Sequence, residues 1–125
     1  MQEVLFIAFG ASFGANLRAL LVHLSKDISQ YLSFPIGILI ANCLGCLLAG
    51  AYLHLSGSKS LPAYMGPMIS IGFFGALTTF STFAIDSVKL FRVSFSSGMI
   101  NILANLSLCL ILVLAGESLC KKVFS

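Results

Sequence analysis

The 125-residue sequence predicts an all-α membrane protein with four transmembrane helices per chain, the third of them broken, and both ends on one side of the bilayer. Three observations carry that expectation. Hydrophobic residues make up 58% of the chain and charged residues 9%, and the mean hydropathy of +1.04 lies far outside the range of soluble domains. The apolar residues fall into four segments at about residues 4–24, 35–55, 67–88 and 95–119, each near the ~20 residues a spanning helix needs. The third segment contains GFFGALTTFSTF at residues 72–83, inside an uncharged run from 61 to 85. With short connections between segments, residues 1–125 read as one four-helix transmembrane domain with no room for a soluble one.

Segment 1 begins Met1-Gln2-Glu3 and carries Arg18 in its second half, the wrong charge layout for a cleaved signal, so it is expected to stay as helix 1. Gly10 and Gly14, with Ala11 and Ala15 beside them, form the small-x-x-x-small pattern that lets membrane helices approach closely. Arg18 extends the same row. A guanidinium at mid-membrane costs ~2.5–3.5 kcal/mol on the lenient insertion scale, so Arg18 either faces a partner or a wet vestibule, or snorkels to the interface. Segment 2 opens with Ser33-Phe34-Pro35, read as an N-cap followed by a first-turn proline, and has one strong polar group, Asn42. That carboxamide either joins helices by hydrogen bonding or donates its N–H to a passing ligand.

In segment 3, Gly72 and Gly75, followed by Thr78, Thr79, Ser81 and Thr82, predict a break in the helix. A break inside a membrane is tolerated only where the freed backbone is buried in protein or lines an aqueous or ion site, and freed carbonyls suit a cation. Phe80 and Phe83, at i and i+3, share a helical face, and their ring edges carry partial positive charge that favours an anion without binding it tightly. Asp86 follows one turn later, near the helix end. Segment 4 carries Asn101, Asn105 and Cys109 at i+4 spacing with Ser107 nearby, a polar stripe that reads either as a track or as structural hydrogen bonding across a dimer interface. Cys43, Cys46, Cys109 and Cys120 lie mostly in apolar segments and are read as small apolar residues, and His23 and His54 have no ligand partner at close spacing.

Basic residues are balanced: Lys59, Lys121 and Lys122 on one side, Lys26, Lys89 and Arg92 on the other. The positive-inside rule then selects no orientation, so insertion both ways and pairing as an antiparallel dual-topology homodimer are expected.

Taken in order along the chain, Gly10 to Arg18 (GASFGANLR), Pro35-Ile36-Gly37 with Asn42 and Gly45, the GFFGALTTFSTF run with Asp86, and the polar stripe before Gly116 resemble the Fluc (CrcB) fluoride channels. The resemblance implies an antiparallel homodimer in the bacterial inner membrane that carries fluoride passively out of the cytoplasm and relieves its toxicity. It assigns Phe80 and Phe83 to the pore phenylalanines, Asn42 to the pore asparagine, Arg18 to the vestibule, and Ser81, Thr82 and Asp86 to the anion path. Asn101 and Asn105 stand where the family pattern has a tyrosine and then a serine, and Ile38 where it commonly has a hydroxyl residue. Gly75 and Thr78 match positions whose carbonyls hold a structural, untransported Na+ at the dimer centre.

Two other classes share parts of this architecture. A small dual-topology transporter of the multidrug-resistance type would need a membrane-embedded carboxylate, whereas Glu3, Asp27, Asp86 and Glu117 all lie at segment ends. A non-transporting membrane subunit would use its polar groups for assembly alone. Nothing suggests an enzyme, and the expected partners are fluoride, membrane lipid and a second copy, with no nucleic acid.

Overall fold

A computed structural model describes residues 1–58 and 61–124, so Lys59, counted in the charge balance, lies outside the described residues. Every regular element is helical: α1 (Gln2–Leu24), α2 (Lys26–Leu32), α3 (Ile36–Ser58), a π-helical segment (Pro67–Phe74), α4 (Gly75–Leu77), α5 (Phe80–Val93) and α6 (Phe95–Phe124). Among the described residues, four stretches are long and apolar enough to cross a bilayer: Gln2–Leu24, Ile36–Gly57, Pro67–Val93 and Phe95–Phe124. Together with their short connections they make this a multi-pass membrane protein.

The spans agree with the expected segments, and the differences at their ends have local causes. The short helix α2 was not expected; it holds Lys26, Asp27, Ser29 and Gln30 and lies outside the apolar run. Ser33 corrects the N-cap reading of segment 2, because at φ 49° it is the left-handed C-cap of α2. Phe34, ahead of Pro35, is kept from helical geometry, and the first bond of α3 runs from Leu39 N–H to Pro35 O at 3.2 Å. The third span runs past residue 88 to Val93, carrying Lys89 and Arg92 beyond the apolar run. Lys121 and Lys122 in the last turn extend α6 past residue 119, where cations complement the helix dipole.

Two helix pairs build the frame: α1 packs along the π-helical segment, and α3 packs along α6. Both contacts bring backbone against backbone. A Cβ at Gly10 would overlap the Met68 carbonyl and one at Gly14 the Phe73 carbonyl, while one at Gly50 would overlap Val113 O and one at Gly116 Leu47 O. The small-x-x-x-small row of α1 therefore receives carbonyls of the third span. Gly14→Val is expected to destabilise the protein by about 1–3 kcal/mol, read as a lower melting midpoint in detergent, whereas Ala15→Val, on an exposed position, should melt near the wild type.

The interior between the pairs is unusually polar. Buried apolar side chains are Ile38, Ala41, Leu77, Phe83 and Cys120, against buried Ser25, Asn42, Thr79, Ser87, Asn101 and Asn105. Long apolar residues such as Phe9, Leu103 and Leu114 point outward, as a lipid-facing surface requires.

Candidate functional site

The break expected in the third span is present, at Thr78 and Thr79. Both are extended, with φ/ψ of −83°/157° and −151°/119°. On the near side, Thr78 closes the last turn onto Phe74 O through its N–H at 3.0 Å and its hydroxyl at 2.8 Å. Beyond it, Thr79 is the N-cap of α5, its Oγ1 accepting from Thr82 N at 3.2 Å. Thr79 Oγ1 also donates to Thr82 Oγ1 at 3.0 Å and shares a 3.3 Å hydrogen bond with Ser81. A continued helix would direct the Thr79 N–H at Gly75 O. Here that N–H donates to Asn42 Oδ1 at 2.8 Å, so a side chain from α3 holds the helix open.

Asn42 is also the head of a line of buried amides. Its Nδ2 donates to Asn105 Oδ1 at 3.0 Å and to Thr79 O at 3.4 Å. Asn105 Nδ2 donates to the backbone oxygen of Asn101 at 3.0 Å and to its Oδ1 at 3.1 Å. Asn101 Nδ2 then donates to Ser87 Oγ at 2.9 Å, and Ser87 donates to Phe83 O at 2.8 Å. Within one chain, then, the amides act as hydrogen-bonding links: they join three elements, and they do so along a line. Ser107 faces outward and is not part of it.

Beside this line lies a groove of about 310 Å³, lined among others by Asn42, Thr79, Phe80, Phe83, Asn105 and Cys109. At about 30 Å³ per water it has room for a small ion with several waters. The Phe80 and Phe83 rings meet with centroids 5.5 Å apart and planes at 58°. Phe83 is buried, but Phe80 is 76% exposed and stands out from the chain beside the groove.

Arg18 is turned inward, half-buried, with Nη1 3.3 Å from Thr78 O. Thr78 O is released from the helix because Thr82 N is engaged by Thr79 Oγ1. Gly75 and Thr78 therefore present carbonyl oxygens freed from helical bonding, the donor type that suits Na+ at a broken membrane helix. Two carbonyls alone underfill a cation shell, and the Arg18 guanidinium shares one of them. Asp86 lies away from the groove; it pairs with Lys89 at 3.4 Å and lines a second hollow with Lys26 and Gln30. Among the described residues, no group of three or more His, Cys, Asp or Glu side chains is placed to hold a metal ion.

Sequence reasoning counted Thr79 among the hydroxyls of the break without giving it a place in the site, and it missed Ser87. Thr79-x-x-Thr82 is an N-cap pattern, and Ser87 lies one turn after Phe83 on the same face, so both signals were present.

The family model "CrcB-like protein, Camphor Resistance (CrcB)" matches residues 5–117. This chain belongs to the CrcB family. Among relatives, a protein of Shewanella frigidimarina (strain NCIMB 400) named "Fluoride-specific ion channel FluC" is 38% identical over 120 residues, covering 95% of this chain and 96% of its own. A protein of the same name from Dehalococcoides mccartyi (strain CBDB1) is 39% identical over 125 aligned positions, covering 95% of this chain and 92% of its own. Membership of the CrcB family, with relatives named as ion channels, also places the chain outside the enzymes.

Proposed function

We infer that this CrcB-family chain is a fluoride-selective passive channel that lets fluoride leave the cytoplasm across the bacterial inner membrane. The observation that carries the reading is Asn42, a buried N–H donor fixed at a helix break in a groove walled by Phe83 and Phe80. Fluoride is small and strongly hydrated, so a path must replace its water with donors while avoiding a deep well. Asn42 offers an N–H, Ser81 and Thr82 offer hydroxyls, and the phenylalanine edges add weak attraction. Arg18 supplies positive charge beside the break, while Asp86, which lies away from the groove, is given a place on the path by the resemblance alone. Asn101 and Asn105 continue the polar line where hydroxyl residues are common in the family.

The working unit of this reading is an antiparallel homodimer. Its support is physical: Gly75, Phe80 and Ser81 are exposed on a single chain beside a mid-membrane break, and a broken backbone is not tolerated against lipid. A second copy covers it. Gly75 and Thr78 of each copy would then together hold a structural Na+, whose charge offsets the cost of an anion in low dielectric. Exchange of sodium for N-methylglucamine is expected to lower the temperature at which the dimer dissociates, measured by size exclusion after heating; an unchanged midpoint would remove the ion from the reading.

Liposomes containing only this protein, loaded with potassium fluoride and opened with a potassium ionophore, are expected to release fluoride rapidly and to retain chloride. No release in sodium buffer would overturn the homodimeric channel. A multidrug-type transporter is disfavoured by the placement of Asp86, which pairs with Lys89 toward the charged end of α5.

A further inference from the structure

Resting on the fluoride-path reading, we propose that the Asn105 carboxamide is a self-occupying gate: its oxygen stands where the ion must be accepted by Asn42, and fluoride enters by displacing it.

Asn42 has no donor to spare. One Nδ2 hydrogen goes to Thr79 O and the other to Asn105 Oδ1, while its oxygen is taken by Thr79 N–H. Among the described residues, no buried side-chain nitrogen or oxygen lacks a partner. An anion can therefore reach the Asn42 N–H only if an existing acceptor withdraws. Thr79 O belongs to the extended backbone at the break and cannot move without unmaking the α5 cap. Asn105 Oδ1 is the end of a side chain whose terminal torsion is broad, so it can turn away for the cost of the one hydrogen bond it accepts from Asn42.

The partners of Asn105 make that turn a defined one. Its Nδ2 faces two acceptors on Asn101, the backbone oxygen at 3.0 Å and Oδ1 at 3.1 Å, and either one can keep an N–H bonded while the carbonyl end swings out. The line also runs one way, each member donating to the next from Asn42 to Phe83 O, so an ion at its head substitutes one acceptor and leaves the other donors in place. The amides are paired with one another, so the ion must out-compete one neutral hydrogen bond. Asn105 thereby sets the concentration at which the path fills and is a positioning residue for Asn42.

Asn105→Ser shortens the side chain so that it no longer reaches Asn42. Half-saturating fluoride in liposome flux is expected to fall about threefold to tenfold, the equivalent of one neutral hydrogen bond. Asn42→Ala made together with Asn105→Ser should abolish that gain, because the competed donor is gone. A merely structural Asn105 would lower the maximum flux and leave half-saturation unchanged, and an Asn105 that contacts the ion as a donor would raise half-saturation; either result overturns the gate.

A second measurement uses the wild-type protein and reads binding, not flux. Asn16, Asn42, Asn101 and Asn105 are the only asparagines, so 15N-asparagine labelling gives four side-chain amide pairs. Titration with sodium fluoride should shift Asn42 and Asn105 at one shared midpoint and leave exposed Asn16 still. Asn42 moving with Asn105 unmoved refutes the gate even where the channel conducts. A joint shift in a protein that passes no fluoride leaves Asn105 displaced by the ion at a binding site and overturns the gate together with the channel reading.

Discussion

Asn42→Ala is expected to cut fluoride flux about 30- to 1,000-fold, corresponding to roughly 2–4 kcal/mol of lost stabilisation. Two losses add. The ion loses a charge-assisted donor, and the Thr79 N–H, buried at the break, loses its acceptor at 2.8 Å. Thr79 O and Asn105 Oδ1 lose a donor at the same time. Asn42→Asp keeps an acceptor for the Thr79 N–H, has no N–H to give and adds a negative charge that repels the anion, so a folded protein without flux is the expected result. Flux retained in Asn42→Asp would make Asn42 a strut for the break and nothing more.

Replacing both rings, Phe80→Ile with Phe83→Ile, is expected to lower flux about 5- to 150-fold with the dimer intact, from roughly 1–3 kcal/mol for two aromatic contacts. Isoleucine keeps apolar bulk in the groove and removes the positive ring edge, so packing is largely preserved. The two sites differ in how they should respond singly. Phe83 is buried within its own chain, so Phe83→Ile tests the groove as it stands; Phe80 is 76% exposed, so Phe80→Ile tests the proposed dimer as well. Flux unchanged in the double variant, measured with the same electrode assay, would leave the rings as packing groups.

The spans were legible in the sequence because bilayer thickness imposes a long apolar run that no other feature of this chain imitates. The break was legible in kind, from glycines and hydroxyls, but not in place. Its position is set by Asn42, 37 residues away, which takes the Thr79 N–H, and a local reading of residues 72–83 cannot see that. Gly72, read as part of the break, instead lies in the π-helical segment against Ile7 O and Ala11 N of α1. The i+4 spacing of Asn101 and Asn105 placed them on one face, yet only the fold shows that their partners are Ser87 and Asn42. Arg18 had two open readings because position along a helix does not give rotation about it. Its 3.3 Å approach to Thr78 O comes from packing.

The glycine contacts of the two helix pairs divide the molecule into parts that can and cannot drift in evolution. At Gly10, Gly14, Gly50 and Gly116 a single methyl group collides with main chain, so those sites admit almost no alphabet. At those four contacts main chain meets main chain and offers no side chain to tune. The buried polar side chains meet elsewhere, in the seam where Asn42, Asn101 and Asn105 join Thr79 and Ser87. An exchange of amide for hydroxyl in that seam would alter the polar line and leave the main-chain contacts of the scaffold in place.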